Sequence, residues 1–252
     1  GSLVQGAPTK GVHYLRGADD AMRLRASLRP GRRVAIAGGG FIGLESAAAA
    51  IAAGAHATVI ELSSRLLERV AHPVISEFFR SAHADRGVDV VTGTGVGALT
   101  SVDGEMRSIL LTDGQTLDAD LLVVGVGLVA NTSLASAMGL ELHRGIVVDE
   151  SGRTGIERVL AVGDCATVRL PTGDFARLES VHNAIEQAKT AAAVIADAPL
   201  PIKRAPWFWS DQFDMKLQIA GETGADTAIE VDGDLESEKF VALHRLNGRV
   251  VG

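Results

Sequence analysis

The chain has 252 residues, enough for one large or two medium domains, and it is 46% hydrophobic and 22% charged with 29 glycines, the profile of an ordinary globular α/β protein. A formal net charge of −7 argues against a general nucleic-acid binder, which would carry a basic face, and it says little about protein partners. The single cysteine, Cys165, excludes an internal disulfide and fits a reducing cytoplasm, and no apolar run reaches the length of a membrane span.

A helical pattern over 18–28 is broken by Pro30-Gly31, and an apolar strand is expected at about 33–38. It runs into Gly38-x-Gly40-x-x-Gly43, then an alanine-rich helix over 42–53, then a second strand at 57–61 that closes on Glu61. This is the layout of a βαβ unit that binds a dinucleotide. Gly38 allows the tight turn out of the strand, Gly40 lets the backbone approach a pyrophosphate, and Gly43 lets the helix pack closely on the sheet. The helix start presents its unpaired N–H groups to the phosphates. Glu61 is placed to accept hydrogen bonds from a ribose diol, and a carboxylate there favours NADH, or the ADP part of FAD, over NADPH. Arg65, four residues on, could counter that preference or pack over the adenine.

An amphipathic helix follows over 73–86, and 88–118 reads as a small antiparallel meander with turns at Asp103-Gly104 and Asp113-Gly114. Strand 121–125 then returns to the parallel sheet. Beyond it come a short helix (131–138), strands at 145–149 and 159–164, and a long helix over 181–196. From Trp207 onward the pattern is hairpin-rich, with strands at 216–220, 227–231 and 239–243. The Gly/Pro-containing start at 6–11 and the strand-like stop at 249–252 make both ends read as cut.

Three further stretches carry chemistry. In 158–166 an apolar strand delivers Gly163 and Asp164 to a sheet edge, where the carboxylate can bind a polyol, although Gly-Asp after a strand also reads as a plain turn. Residues 177–183 lead into a helix start that would stabilise negative charge on a reduced ring system. Residues 206–212 gather two indoles and a phenyl in a chain only 4% aromatic, a suitable wall against a flat cofactor. Cys165 lacks a resolving partner and reads as packing. The histidines at 56, 72, 83 and 182 have no metal spacing, so no metal site is expected.

The stretches GGGFIGLE (38–45), VVGVG (123–127), RVLAVGDCA (158–166), RLESVHNAIEQA (177–188) and PWFWSDQF (206–213), with Glu61, resemble the FAD-dependent, NADH-linked ferredoxin reductases, the group that serves putidaredoxin and aromatic-ring dioxygenases. The resemblance implies a three-layer, Rossmann-like α/β NADH domain at 16–130. A partial second nucleotide-binding domain, for FAD, would comprise 1–15 and 131–199, and 200–252 would begin a partial α+β C-terminal interface domain. It further implies that Gly38, Gly40, Gly43 and Glu61 hold the NADH diphosphate and adenosine ribose, with Phe41, Ile42 and Arg65 beside them. Glu45 would hydrogen-bond the nicotinamide amide, and Gly125, Val126 and Gly127 would admit the ring to the flavin. Asp164 would bind the flavin ribitol. Glu179, Ser180, Val181 and His182 would line the isoalloxazine and Trp209 would cover it. The expected activity is electron transfer from NADH through FAD to a [2Fe–2S] ferredoxin, with no side-chain acid or base assigned to catalysis.

That family's first FAD-binding piece has no counterpart here, so the chain reads as the middle of a longer reductase, colourless and inactive by itself. The alternative is a non-enzymatic NAD-binding fragment or redox-sensing module without bound flavin.

Overall fold

The computed structural model describes residues 10–252, so most of the opening loop and of segment 1–15 lies outside the described residues. The chain forms two compact units. One runs to Gly127 and adds Ser210–Leu217 and Thr223–Gly252, and the other comprises Leu128–Trp209 and Gln218–Glu222.

The first unit contains β1 (Val12–Tyr14), α1 (Ala18–Ser27), β2 (Arg33–Ala37), α2 (Phe41–Ala52), β3 (His56–Glu61), α3 (Pro73–Asp85), β4 (Val88–Thr92), β5 (Val96–Val102), β6 (Glu105–Leu111), β7 (Thr116–Asp118) and β8 (Leu121–Val124). Strands β1-β8-β2-β3-β4 make one parallel sheet in that order, and β5-β6-β7 make the antiparallel meander. Strand periodicity decides the layers, because successive side chains leave a strand on opposite faces. Val34 and Ile36 of β2 join a core with Leu44, Ala47, Leu66 and Phe79 on the helix side. Ala35 and Ala37 face the other way, into a core with Met106, Ile109 and Leu111 of the meander. The result is three layers: helices, parallel sheet, meander.

Helix α2 forms from a run of small residues whose buried face, Leu44, Ala47, Ala48 and Ala50, lets its backbone lie close to the sheet. Helix α3 starts with Pro73 in its first turn, and His72 caps it by accepting from the Val74 N–H at 3.3 Å.

In the first unit two elements differ from expectation. Val88–Thr92, read as part of the meander, is the edge strand β4 of the parallel sheet, paired with β3 from Ala57–Val88 to Glu61–Thr92. Alternating apolar residues fit either kind of ladder, and the partner decides. Val12–Tyr14 forms β1 against β8, so the first sheet begins earlier than residue 16.

The second unit contains α4 (Ser133–Ala137), β9 (Ile146–Val148), β10 (Ala166–Arg169), β11 (Phe175–Ala176) and α5 (Val181–Ile195), with sheet order β11-β10-β9. The expected strand 159–164 does not form. Leu160 makes one isolated bridge to Arg153, and Gly163–Cys165 is a single 3-10 turn. With only that bridge, the apolar run has no ladder to complete it.

The chain ends in β12 (Trp207–Gln212), β13 (Met215–Ala220), β14 (Ala228–Asp234), β15 (Lys239–Leu246) and β16 (Arg249–Val250). Within the first unit, the part of this region that belongs there packs on the helix layer. Phe240 meets Phe78 with ring centroids 4.9 Å apart, and Arg86 pairs with Glu238 at 2.7 Å and Asp214 at 2.8 Å. Among the described residues no helix is long and apolar enough to cross a membrane.

Candidate functional site

The glycine loop lies where the ends of β2, β3 and β8 meet. The Gly38 N–H donates to the Ile60 carbonyl at 2.8 Å, and the Gly125 N–H donates to the Ala37 carbonyl at 2.8 Å. Gly38 has φ +105°, and a Cβ there would sit 2.5 Å from the Gly125 carbonyl oxygen. At Gly43 a Cβ would fall 1.9 Å from the Gly38 carbonyl oxygen, so only glycine lets α2 start this close to the turn.

Gly40 is the contrast. A Cβ there would meet nothing within 4 Å, and Gly40 is the N-cap of α2. Among the described residues no side chain caps this helix, and its first turn holds no acid. Open space in front of an uncapped helix start is what a pyrophosphate needs, so the residues present fit a dinucleotide. Ile42 and Val126 add half-exposed apolar side chains at the same loop ends. Gly127 has φ +108°.

Glu61 ties this loop down. Its Oε2 accepts the Gly39 N–H at 2.6 Å and its Oε1 accepts the Ser63 N–H at 2.7 Å. Each oxygen keeps lone-pair capacity for a sugar hydroxyl. Arg65 is turned elsewhere: its guanidinium donates to the Ala71 carbonyl at 2.7 Å, the Ser76 hydroxyl at 2.6 Å and the Glu68 carbonyl at 2.9 Å. In this structure it braces the loop before α3.

Two further residues lie at the loop. At Gly39 a Cβ would lie 2.5 Å from Leu66 Cδ2, the movable end of a side chain, so the crowding there is milder than at Gly38 or Gly43; the triple glycine is the available signal. Arg69, exposed, has no hydrogen bond or ion pair among the described residues, and its Nη2 lies 3.5 Å from where a Gly127 Cβ would be. Nothing in spacing distinguishes it from Arg65.

Glu45 is half-buried in the second turn of α2, and its Oε1 accepts the Ser210 hydroxyl at 2.6 Å. Ser210 in turn accepts from Gln212 Nε2 at 3.0 Å, and Gln212 Oε1 lies 2.8 Å from His83 Nε2. Burial holds the His83 imidazole below its ordinary pKa, the Gln212 bond opposes this, and the Arg86 charge adds to it.

The second unit gathers the other expected residues. The Gly163 N–H donates to Gln187 Oε1 of α5 at 2.6 Å, which docks the Asp164 turn on that helix. Asp164 is half-buried and has no hydrogen-bond or ion-pair partner among the described residues, which fits a polyol ligand. Ser180 caps α5 by accepting the Asn183 N–H at 3.1 Å, and Glu179 pairs with Arg177 at 2.6 Å. Val181 is exposed beside them. His182 meets Trp207 edge-on at 6.2 Å, and Trp207 stacks on Trp209 with centroids 5.0 Å apart. Both indoles remain 38% exposed, enough surface to receive a flat ring. Cys165 donates to the Val162 carbonyl at 3.4 Å, in keeping with a packing role.

Residues 2–188 match the family described as pyridine nucleotide-disulphide oxidoreductase, and 207–252 match the reductase C-terminal family. A probable ferredoxin reductase CtmF of Castellaniella defragrans is 44% identical over 96% of this chain and 59% of its own length. Rhodocoxin reductase of Rhodococcus erythropolis is 41% identical over 99% of this chain and 58% of its own. The chain thus spans somewhat under three-fifths of the length of these curated relatives. In the crystal structure of a covalent putidaredoxin reductase–putidaredoxin complex, one chain superposes with a TM-score of 0.91 at 38% identity, over 96% of this chain and 58% of that one. On fold, glycine loop and sequence together, the chain belongs to the pyridine nucleotide-disulphide oxidoreductase family.

Proposed function

We propose that this chain is the NADH-binding and flavin-facing part of a cytoplasmic reductase that passes electrons from NADH through FAD to a [2Fe–2S] ferredoxin. The observation that carries the reading is the start of α2, uncapped among the described residues and open in front of Gly40, with the Glu61 carboxylate held at the loop by the Gly39 N–H. The names of the relatives, ferredoxin reductases, support the acceptor. The cytoplasmic assignment rests on the single thiol, which leaves no internal disulfide.

In this reading the N–H groups at the start of α2 hold the diphosphate, and Arg69 adds a guanidinium to it. Glu61 accepts from the adenosine ribose diol. It also disfavours a 2′-phosphate, so NADH is the donor rather than NADPH. Glu45 accepts from the nicotinamide amide, with Phe41 and Ile42 below it, while Gly125, Val126 and Gly127 leave room for the ring. Asp164 holds the ribitol, residues 179–182 line the isoalloxazine, and Trp209 covers it. When bound, FAD supplies the change from two-electron to one-electron transfer. The protein's part is position and charge; no side chain has to gain or lose a proton for hydride transfer.

A second reading, an NAD-binding module without flavin, is favoured by the first unit's having both faces of its sheet covered by its own segments. The absorption spectrum of the purified protein with added FAD, before and after anaerobic NADH, separates the two. Flavin bands that bleach with NADH support the reductase. Nucleotide binding with no flavin retained fits the module and equally the expectation that this stretch of a reductase is colourless by itself, so retained flavin is the deciding outcome.

A further inference from the structure

The chain of buried polar groups behind Glu45 has a direction that donor and acceptor chemistry determines. As a carboxylate Glu45 can only accept, so the single Ser210 hydroxyl hydrogen goes to Glu45 Oε1 at 2.6 Å. Ser210 Oγ must then accept from Gln212, which presents its Nε2 at 3.0 Å. That turns Gln212 Oε1 toward His83, so His83 Nε2 is the donor across 2.8 Å. The remaining ring nitrogen, Nδ1, is buried with no hydrogen-bond partner among the described residues, and His83 itself is 0% exposed. Ser210 and Gln212 are each 1% exposed, so no competing water reaches the relay. Leaving Nδ1 unpaired has a cost, and a purely structural histidine would gain by pairing it. The donor polarity of the relay is what this arrangement secures.

We infer that His83, Gln212 and Ser210 are positioning residues that occupy Glu45 Oε1 from behind and so leave Oε2 as the oxygen that meets the carboxamide of the nicotinamide. Among the described residues Oε2 has no protein partner. A carboxylate fixed by one oxygen can accept an amide N–H with the other without first losing side-chain freedom, which favours binding. The inference rests on the proposed reading of Glu45 as the group that meets the amide.

The test is calorimetric titration of NADH and of ADP-ribose, which lacks the nicotinamide, into wild type, Ser210→Ala, His83→Leu, His83→Gln and Glu45→Ala. Glutamine reaches with its Nε2 as the histidine does. Ser210→Ala and His83→Leu are expected to weaken NADH by roughly three- to tenfold, the worth of one lost hydrogen bond, while ADP-ribose affinity stays within about twofold. His83→Gln should restore NADH affinity. Equal weakening of both ligands, or no weakening of NADH where Glu45→Ala does weaken it, overturns the inference. If Glu45→Ala leaves NADH affinity unchanged, the reading of Glu45 falls instead. The nitrogen-15 spectrum of the His83 ring then decides the relay separately. A neutral ring protonated on Nε2, perturbed by Ser210→Ala, upholds the directed chain, and a ring protonated on Nδ1 overturns it.

Discussion

The glycine loop of the first unit and the Asp164 turn of the second are both expected to touch a nucleotide, yet they are built in opposite ways. In the loop the main constraints are on the backbone: positive φ at Gly38, backbone contacts closer than a Cβ allows at Gly38 and Gly43, and amides held by Glu61. At the turn the groups are side chains with spare capacity, an Asp164 without a partner among the described residues and two half-exposed indoles. A site made of backbone is intolerant of added atoms and fails by unfolding. A site made of side chains loses its ligand while the fold persists.

The largest expected effect therefore sits in the loop. Gly43→Ala drives a methyl to 1.9 Å from the Gly38 carbonyl oxygen and should cost about 3 kcal/mol or more, read as a lower urea midpoint. A midpoint within about 0.5 kcal/mol of wild type would show that the loop yields easily, and the contrast would collapse. Next, Glu61→Ala should weaken NADH binding by on the order of 1–3 kcal/mol, since it removes hydrogen bonds to ligand and loop together. Equal affinities by calorimetry would remove Glu61 from the site. Asp164→Asn should lower flavin retention by about 1 kcal/mol and leave the unfolding midpoint and NADH affinity unchanged. A joint loss of both would mean the two sites are not separable.

Acid should act more gradually. Burial depresses the pKa of His83, so the neutral ring is favoured in the fold and protons bind more readily to the unfolded chain. Its contribution is complete above the ordinary value of 6.5 and is lost as the pH falls below that through the depressed folded value. His83→Gln should flatten this decline in urea midpoints measured across the range. The smallest effect is expected at Gly155→Ala, where a Cβ meets nothing within 4 Å, with a change inside about 0.5 kcal/mol.

What could be read in advance follows the same division. The βαβ unit was legible because strand periodicity, the three glycines and Glu61 all lie within one short stretch and obey local rules. Helices α1, α2, α3 and α5 were legible for the same reason. Val88–Thr92 was not, because its alternation suits an antiparallel or a parallel neighbour equally. The stretch 159–164 reads as a strand but has only the isolated bridge from Leu160 to Arg153 among the described residues. The tie from Glu45 to Ser210 joins residues 165 apart in sequence, which no spacing rule anticipates. Arg65 and Arg69 are chemically alike in sequence, and only the structure separates the one that braces a loop from the one without a partner among the described residues.

The most direct test of the central claim, that the first unit carries a working NADH site of its own, is calorimetric titration of NADH and NADPH into the protein with no FAD added. The account predicts one NADH bound per chain, with NADPH weaker and the preference diminished in Glu61→Ala. Absence of NADH binding until FAD is supplied, or tighter binding of NADPH, would contradict it.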